Sequence, residues 1–279
     1  MTTHTQSNAA KPVLVTVASG KTGRRVAARL TAAGEPVRAV SRSTPTRFDW
    51  EDQSTWRHAL EGARAAYLCF VPDLGFRGAA ETVGAFARLA VSLGVSRLVL
   101  LSGRGEEGAL AGEQAVRASG AEVTIIRASW FNQNFHEDFL LDSVRAGEIA
   151  LPAGDAAEPF VDADDIAEVA VAALTGDGHA GEVYEVTGPR LLTFHDVAKE
   201  LGQALGREIR YVPQTSEQYA AVLTEYGLPL DLLELFDRIL DGRNASLTDG
   251  VRRALGREPR DFGDYARNTA ASGAWDLSL

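Results

Sequence analysis

The sequence predicts an α/β protein, a doubly wound parallel sheet carrying a small C-terminal α/β lobe. Three observations lead there. Short apolar runs alternate with longer stretches of helical periodicity. The runs are apolar on both faces, as in a parallel sheet covered by helices on each side. Glycines stand where the helices should stop, at Gly34, Gly94 and Gly120.

In chain order the pattern predicts a strand over 13–18, a helix over 22–33 and a strand over 37–41. A short segment at 47–50 and a helix over 54–60 come next, then a strand over 65–71 and a helix over 78–93. The alternation continues with a strand over 97–102, a helix over 106–119 and a strand over 122–127. Residues 162–174 read as a capped helix and 181–187, rich in Val and Tyr, as one more strand. Segments 149–159, 191–213 and 216–240 do not extend the alternation and are assigned to the lobe. There, Thr193 to Asp196 has the form of a helix start, with the helix reaching about Leu205. The expected division is a loose tail over 1–11, a main domain over 12–147 completed by about 160–188, and a substrate-side lobe from 148–159 and 189–279.

Composition narrows the function. With 279 residues, 45% hydrophobic and 24% charged, the chain has ordinary globular usage. A net charge of -10 with no dense basic cluster argues against a nucleic-acid partner. The polar N-terminus and the lack of a long apolar run argue against a membrane protein, and the lone Cys69 suits a reducing compartment, so the expected location is cytoplasmic. The five histidines, His4, His58, His136, His179 and His195, show no metal-binding spacing, and no metal is expected.

The first strand runs into Ala18-Ser19-Gly20-Lys21-Thr22-Gly23 and then a helix, the context of a dinucleotide-binding loop. Glycines there admit a pyrophosphate, and the helix N-terminus offers N–H donors and the positive end of its dipole. A G-x-x-G-x-x-G reading puts Val17 where the first glycine belongs. Valine is strongly disfavoured there if the backbone needs positive φ, which puts cofactor affinity in question. The second strand ends in Ser41-Arg42 with no acidic residue to hold ribose hydroxyls, so Arg42, with Lys21 beside it, favours the 2′-phosphate of NADP(H).

Taken together, Ala18 to Arg24, Phe48-Asp-Trp-Glu-Asp52, Leu98 to Ser102, Thr124 to Arg127, Trp130-Phe-Asn-Gln-Asn-Phe135 and Phe160 to Ala167 resemble the NmrA-like branch of the atypical short-chain dehydrogenases. Within it the likeness is to the group of ergot-alkaloid reductases of the agroclavine and festuclavine dehydrogenase type. The resemblance implies a Rossmann-like domain that binds NADP(H). It also implies that Ser19, Gly20, Lys21, Thr22 and Gly23 meet the phosphates, Arg42 the 2′-phosphate, Asp49 and Trp50 the adenine side, and Phe70, Val71, Pro72 and Ser102 the ribose and nicotinamide side.

The chemistry is constrained by what is missing. No tyrosine lies between Tyr67 and Tyr184 and no lysine between Lys21 and Lys199, so the helix after the Ser102 strand cannot carry the Tyr/Lys acid pair of typical short-chain dehydrogenases. That leaves hydride transfer to an acceptor needing little acid help: an iminium ion, a quinone or an activated alkene. Trp130, Phe131, Asn132, Asn134 and Phe135, after a core strand, are expected to wall a planar small-molecule substrate, with His136 and Ser102 as the catalytic candidates. Phe131 and Phe135 could equally be the buried stripe of a helix. Glu113 reads as a helix-surface carboxylate, and Asp162, Asp164 and Asp165 as residues of a helix start. The leading expectation is an NADPH-dependent reductase of a small aromatic or heterocyclic metabolite, in secondary metabolism. An NADP-sensing regulator, and a cyclase or isomerase with weakened cofactor binding, stand as alternatives.

Overall fold

The computed structural model describes residues 11–276 apart from Tyr226, Leu228 and Pro229 and the side chains of Asp231 and Leu232; the expected tail over 1–11 lies, but for Lys11, outside the described residues. Strands β1 (Val13–Val15), β2 (Val37–Ala39), β3 (Ala65–Leu68), β4 (Arg97–Gly103) and β5 (Glu122–Ala128) form a parallel sheet, joined at its far edge by a later strand (Val183–Val186). The order is β2-β1-β3-β4-β5 with the later strand outermost. The chain therefore reverses its winding between β1 and β3, and the crevice outside the carboxyl ends at such a switch point is where open α/β sheets bind ligands.

Side-chain alternation dresses both faces. Val13 and Val15 point to one side of the sheet and Leu14 to the other, and all three are fully buried. On the first side, helix α1 (Lys21–Ala32) lays Val26 and Leu30 against a later helix (Ala163–Thr175) that contributes Ile166, Ala170 and Leu174. On the second side, α2 (Trp56–Leu60), α3 (Ala79–Ser92) and α4 (Glu107–Arg117) cover an aromatic knot of Phe48, Trp50, Trp56 and Phe86. The first and third strands end earlier than expected, because Val17, Ala18 and Cys69 to Val71 leave the sheet to shape the crevice, while β4 and β5 run one residue further.

The lobe is built from α5 (Leu141–Ala146), β6 (Glu148–Leu151), β7 (Ala157–Glu158) and, beyond α6 (Ala163–Thr175) and β8 (Val183–Val186) of the main sheet, β9 (Leu192–Thr193), α7 (Phe194–Leu205) and β10 (Arg210–Pro213). Helices α8 (Ser216–Glu225), α9 (Asp231–Ile239), α10 (Gly250–Leu255) and α11 (Phe262–Ala271) follow; α10, expected in the lobe, instead packs Val251 and Ala254 against α6 and β8 of the main sheet. The lobe core gathers Phe135, Phe160, Phe194 and Phe262. The start of α7 is a full capping box: Asp196 N–H donates to the Thr193 hydroxyl, and Thr193 N–H donates to the Asp196 carboxylate. Asp162 caps α6, its carboxylate accepting from Asp164 N–H at 2.8 Å. Asp165 does more than start a helix. Completely buried, it accepts from Arg257 Nη2 at 2.7 Å and Arg260 N–H at 2.7 Å, and also pairs with the Arg260 guanidinium, so it ties the segment after α10 onto α6. Among the described residues no helix is long and apolar enough to cross a membrane.

Candidate active site

A cavity of about 550 Å³ opens at the carboxyl end of the sheet, over the switch point between β1 and β3. One half is lined by the glycine loop (Val17, Gly20, Lys21, Thr22), the segment after β3 (Cys69 to Leu74) and the ends of β4 and β5. The other half is aromatic and apolar, with Trp130, Phe131, Phe139, Tyr219, Leu223 and Phe236.

The loop has the shape a dinucleotide requires. Helix α1 begins at Gly20 with no side chain capping its free N–H groups and no acidic residue in its first turn, so those donors and the dipole are left for an anion. A Cβ at Gly23 would run into the Val17 carbonyl oxygen, so only glycine lets α1 pack this close to the loop. Ala18 N–H bonds the Val40 carbonyl at 3.0 Å, holding the loop against the end of β2, just before Arg42. These residues fit a bound dinucleotide.

Val17 sits at φ 49°, in the left-handed region that a β-branched residue rarely enters. Its carbonyl accepts from Gly20 N–H at 2.9 Å, which holds the conformation in place. The position where the sequence departs from a glycine is thus one whose backbone asks for glycine. Val17→Gly relieves about 1–2 kcal/mol of strain and offsets it by about 0.5–1 kcal/mol of added unfolded-chain entropy. Stability should therefore stay level or rise slightly, while NADPH binding tightens by roughly threefold to tenfold, about 0.7–1.4 kcal/mol, measured by fluorescence titration beside the wild type.

The expected site residues fall into two groups. Gly20, Lys21, Thr22, Phe70, Val71, Pro72, Ser102, Trp130, Phe131 and Asn134 meet around the cavity. Lys21 Nζ donates to Asn134 Oδ1 at 2.7 Å and pairs with Asp138, which bridges the loop to the segment after β5. Ser102 is buried and donates to Glu113 Oε1 at 2.7 Å. Glu113 is no surface carboxylate: α4 turns it inward, where it takes two bonds from Arg127, at 2.8 and 2.7 Å, and fixes the serine.

Ser19 and Arg42 are exposed outside the cavity, and Asp49 also lies outside it. Trp50 is a core residue, its indole N–H donating to the Cys69 carbonyl at 2.9 Å beneath the cavity floor. Asn132, Phe135 and His136 are corrected. The stretch after Phe131 is a 3₁₀ turn, Asn132–Phe135, whose period of three sends Phe131 and Asn134 to the cavity and Asn132 and Phe135 away from it. Phe135 packs against Phe160 and Phe262 in the lobe core. His136 does not line the cavity. Its Nδ1 meets Tyr265 Oη of α11 at 2.7 Å and its Nε2 meets Glu137, itself paired with Arg25 of α1, at 3.0 Å, so both ring nitrogens serve packing.

Four cavity groups come from positions the sequence reading did not single out for the site: Glu106, Ser129, Glu158 and Tyr219. Glu106 Oε2, Ser129 Oγ and Glu158 Oε1 are buried with no partner among the described residues, and Trp130 Nε1 joins them. Such orphaned polar atoms around a cavity are what a polar ligand satisfies. Burial, with Asp73 beside it, pushes the Glu106 carboxyl up to about 9. The Glu158 carboxyl is pushed up to about 8 by burial against the partial relief of the Arg104 charge. Burial also raises the Tyr219 hydroxyl, and no lysine stands with it to reverse that, so it serves as a hydrogen-bond donor. Burial pushes the Cys69 thiol up to about 11, which removes it as a nucleophile at neutral pH. Among the described residues no cluster of metal-ligating side chains occurs.

No family profile matches the chain. It is 33% identical over 275 residues to agroclavine dehydrogenase of Claviceps fusiformis, a match covering 91% of this chain and 95% of that protein. It is also 33% identical over 276 residues to the oxidoreductase YesF of Bacillus subtilis, covering 93% and 96%. Among solved structures, triphenylmethane reductase of Citrobacter, complexed with NADP(H), superposes with a TM-score of 0.77 at 20% identity, over 93% of this chain and 99% of that one. The switch-point cavity, the glycine loop and near full-length likeness at this level agree. The chain belongs to the family that includes the agroclavine and festuclavine dehydrogenases.

Proposed function

We propose that the protein is an NADPH-dependent reductase of a small aromatic or heterocyclic acceptor. The observation that carries this reading is the continuity of the cavity, from the open N-terminus of α1 to the wall of Trp130, Phe139, Tyr219 and Phe236. NADPH, when bound, supplies the hydride. The protein's part is to place and enclose the reactants. Gly20 to Gly23 and the start of α1 hold the pyrophosphate; the segment from Phe70 to Pro72 and Ser102, fixed by Glu113 and Arg127, line the nicotinamide side; the aromatic half excludes water and stacks on a flat acceptor. Relatives named as agroclavine dehydrogenase and azoreductase support a reductase of small conjugated molecules.

Arg42, exposed at the end of β2 and free of ion-pair partners among the described residues, selects the 2′-phosphate. Arg42→Ala should weaken NADPH by roughly tenfold, about 1.4 kcal/mol, and leave NADH unchanged, as read by paired titrations. Equal loss for both cofactors would remove Arg42 from that role.

The test of the function is acceptor-dependent consumption of NADPH across quinones, cyclic imines and activated alkenes. Turnover with at least one of these classes is expected. One observation favours a second reading, a non-redox enzyme on the same fold: Val17 is strained and lines the cofactor half. Tight NADPH binding by the wild type would set that reading aside.

A further inference from the structure

Glu158 is the most isolated acid of the cavity. It ends β7, is 1% exposed and lines the cavity, and its Oε1 is buried with no partner among the described residues. It shares that lining with Trp130, Phe139, Tyr219 and Phe236. The positive charge facing it, Arg104, is engaged elsewhere, donating to Glu185 at 3.2 Å, the Asn244 carbonyl at 2.8 Å and the Ser246 hydroxyl at 2.6 Å. Asp241 adds a negative charge. Lys21, Asp73, Glu106 and Asp138 are the remaining charged groups of the lining, with Lys21 and Asp138 paired to each other. Glu106 is placed differently. It lies against Gly103, at the end of β4, with the negative charge of Asp73 beside it.

On the reductase reading, which this inference rests on, a buried carboxyl that keeps its proton has a use only if the acceptor becomes an anion. An iminium ion that takes a hydride becomes a neutral amine and asks for no proton. A quinone or a carbonyl-conjugated alkene becomes a phenolate or enolate and does.

We propose that Glu158 is the proton donor of the reaction and that the acceptor is a neutral conjugated molecule, a quinone or an activated alkene. The electron pair of the hydride delivered by the reduced nicotinamide forms the new bond to the acceptor. The displaced π pair moves onto the acceptor's carbonyl oxygen, and the Glu158 O–H bond breaks as its proton passes to that anion. The acceptor is reduced by two electrons and the nicotinamide oxidised by two. The carboxylate left on Glu158 regains its proton from solvent when product leaves. Because the acid form is the active one, turnover is full below the folded-state value of about 8 and falls as pH rises through it.

Two measurements test this on the full-length protein. Infrared pH titration of the protein without ligand should show two protonated carboxyl bands at neutral pH, one missing in Glu158→Gln and the other missing in Glu106→Gln. With NADPH and a quinone or enone, Glu158→Gln should lower kcat by roughly 100-fold, lose the alkaline fall and leave NADPH affinity unchanged, while any turnover of a cyclic iminium is spared. If Glu158 is already ionised at neutral pH, or if Glu158→Gln keeps kcat with quinones, the donor role is overturned and the reductase reading stands. If NADPH does not bind, or no acceptor consumes it, the reductase reading falls and takes the donor role with it.

Discussion

Gly23→Ala is expected to cost the protein its hold on NADPH, weakening affinity by at least about 100-fold, roughly 2.8 kcal/mol. The added methyl would meet the Val17 carbonyl carbon and oxygen and the Thr16 carbonyl oxygen, all of them backbone atoms that cannot rotate aside. Relief can come only by moving the start of α1 away from the end of β1, which spreads the N–H groups that face the phosphates. Overpacking of this kind costs about 1–3 kcal/mol in stability, so the variant should still fold and the loss should be readable as binding. Circular dichroism would establish the fold, and fluorescence titration the affinity. Wild-type affinity in a folded Gly23→Ala protein would mean that the loop does not hold the pyrophosphate.

Asp165→Ala should be the most destabilising single change outside the site. The carboxylate is completely buried and gathers Arg257, Arg260 and the Arg260 N–H; its loss leaves the two guanidinium groups with Glu168 as their remaining carboxylate and takes away the acceptor of the Arg260 N–H. Removing one partner of a buried ion pair costs about 3–5 kcal/mol. Both arginines are about a third exposed, at 35% and 37%, so water repays part of that. A loss of about 2–4 kcal/mol follows, which lowers Tm by roughly 5–10 °C in a chain of this size. Asp165→Asn, which can still accept from the Arg260 N–H, should lose less. Equal Tm values for Asp165→Ala and the wild type would show that the segment after α10 is held some other way.

The parts of the fold that could be read from the sequence were those written in local periodicity. Every predicted strand of the main sheet and every helix between them is present, since apolar alternation and terminal glycines are consequences of nearby residues. The glycine loop was legible for the same reason, and so was the oddity of Val17. Site residues that depend on distant packing were not. The run from Trp130 to His136 reads as one aromatic-polar motif, yet a 3₁₀ turn divides it between the cavity and the lobe core. Glu106, Glu158 and Tyr219 come from separate segments that meet only in three dimensions. A carboxylate's burial, which decides whether it keeps its proton, leaves no mark in the residues beside it. Glu113 shows this most plainly, a helix residue turned inward by Ser102 and Arg127.

The central claim, that this cavity is a dinucleotide and substrate site, is tested most directly by titrating NADPH and NADH into the purified wild-type protein and following fluorescence. Saturable NADPH binding in the micromolar range, about -8 kcal/mol, is expected, with NADH weaker by roughly tenfold or more. Absence of binding by both cofactors in the folded wild type would contradict it.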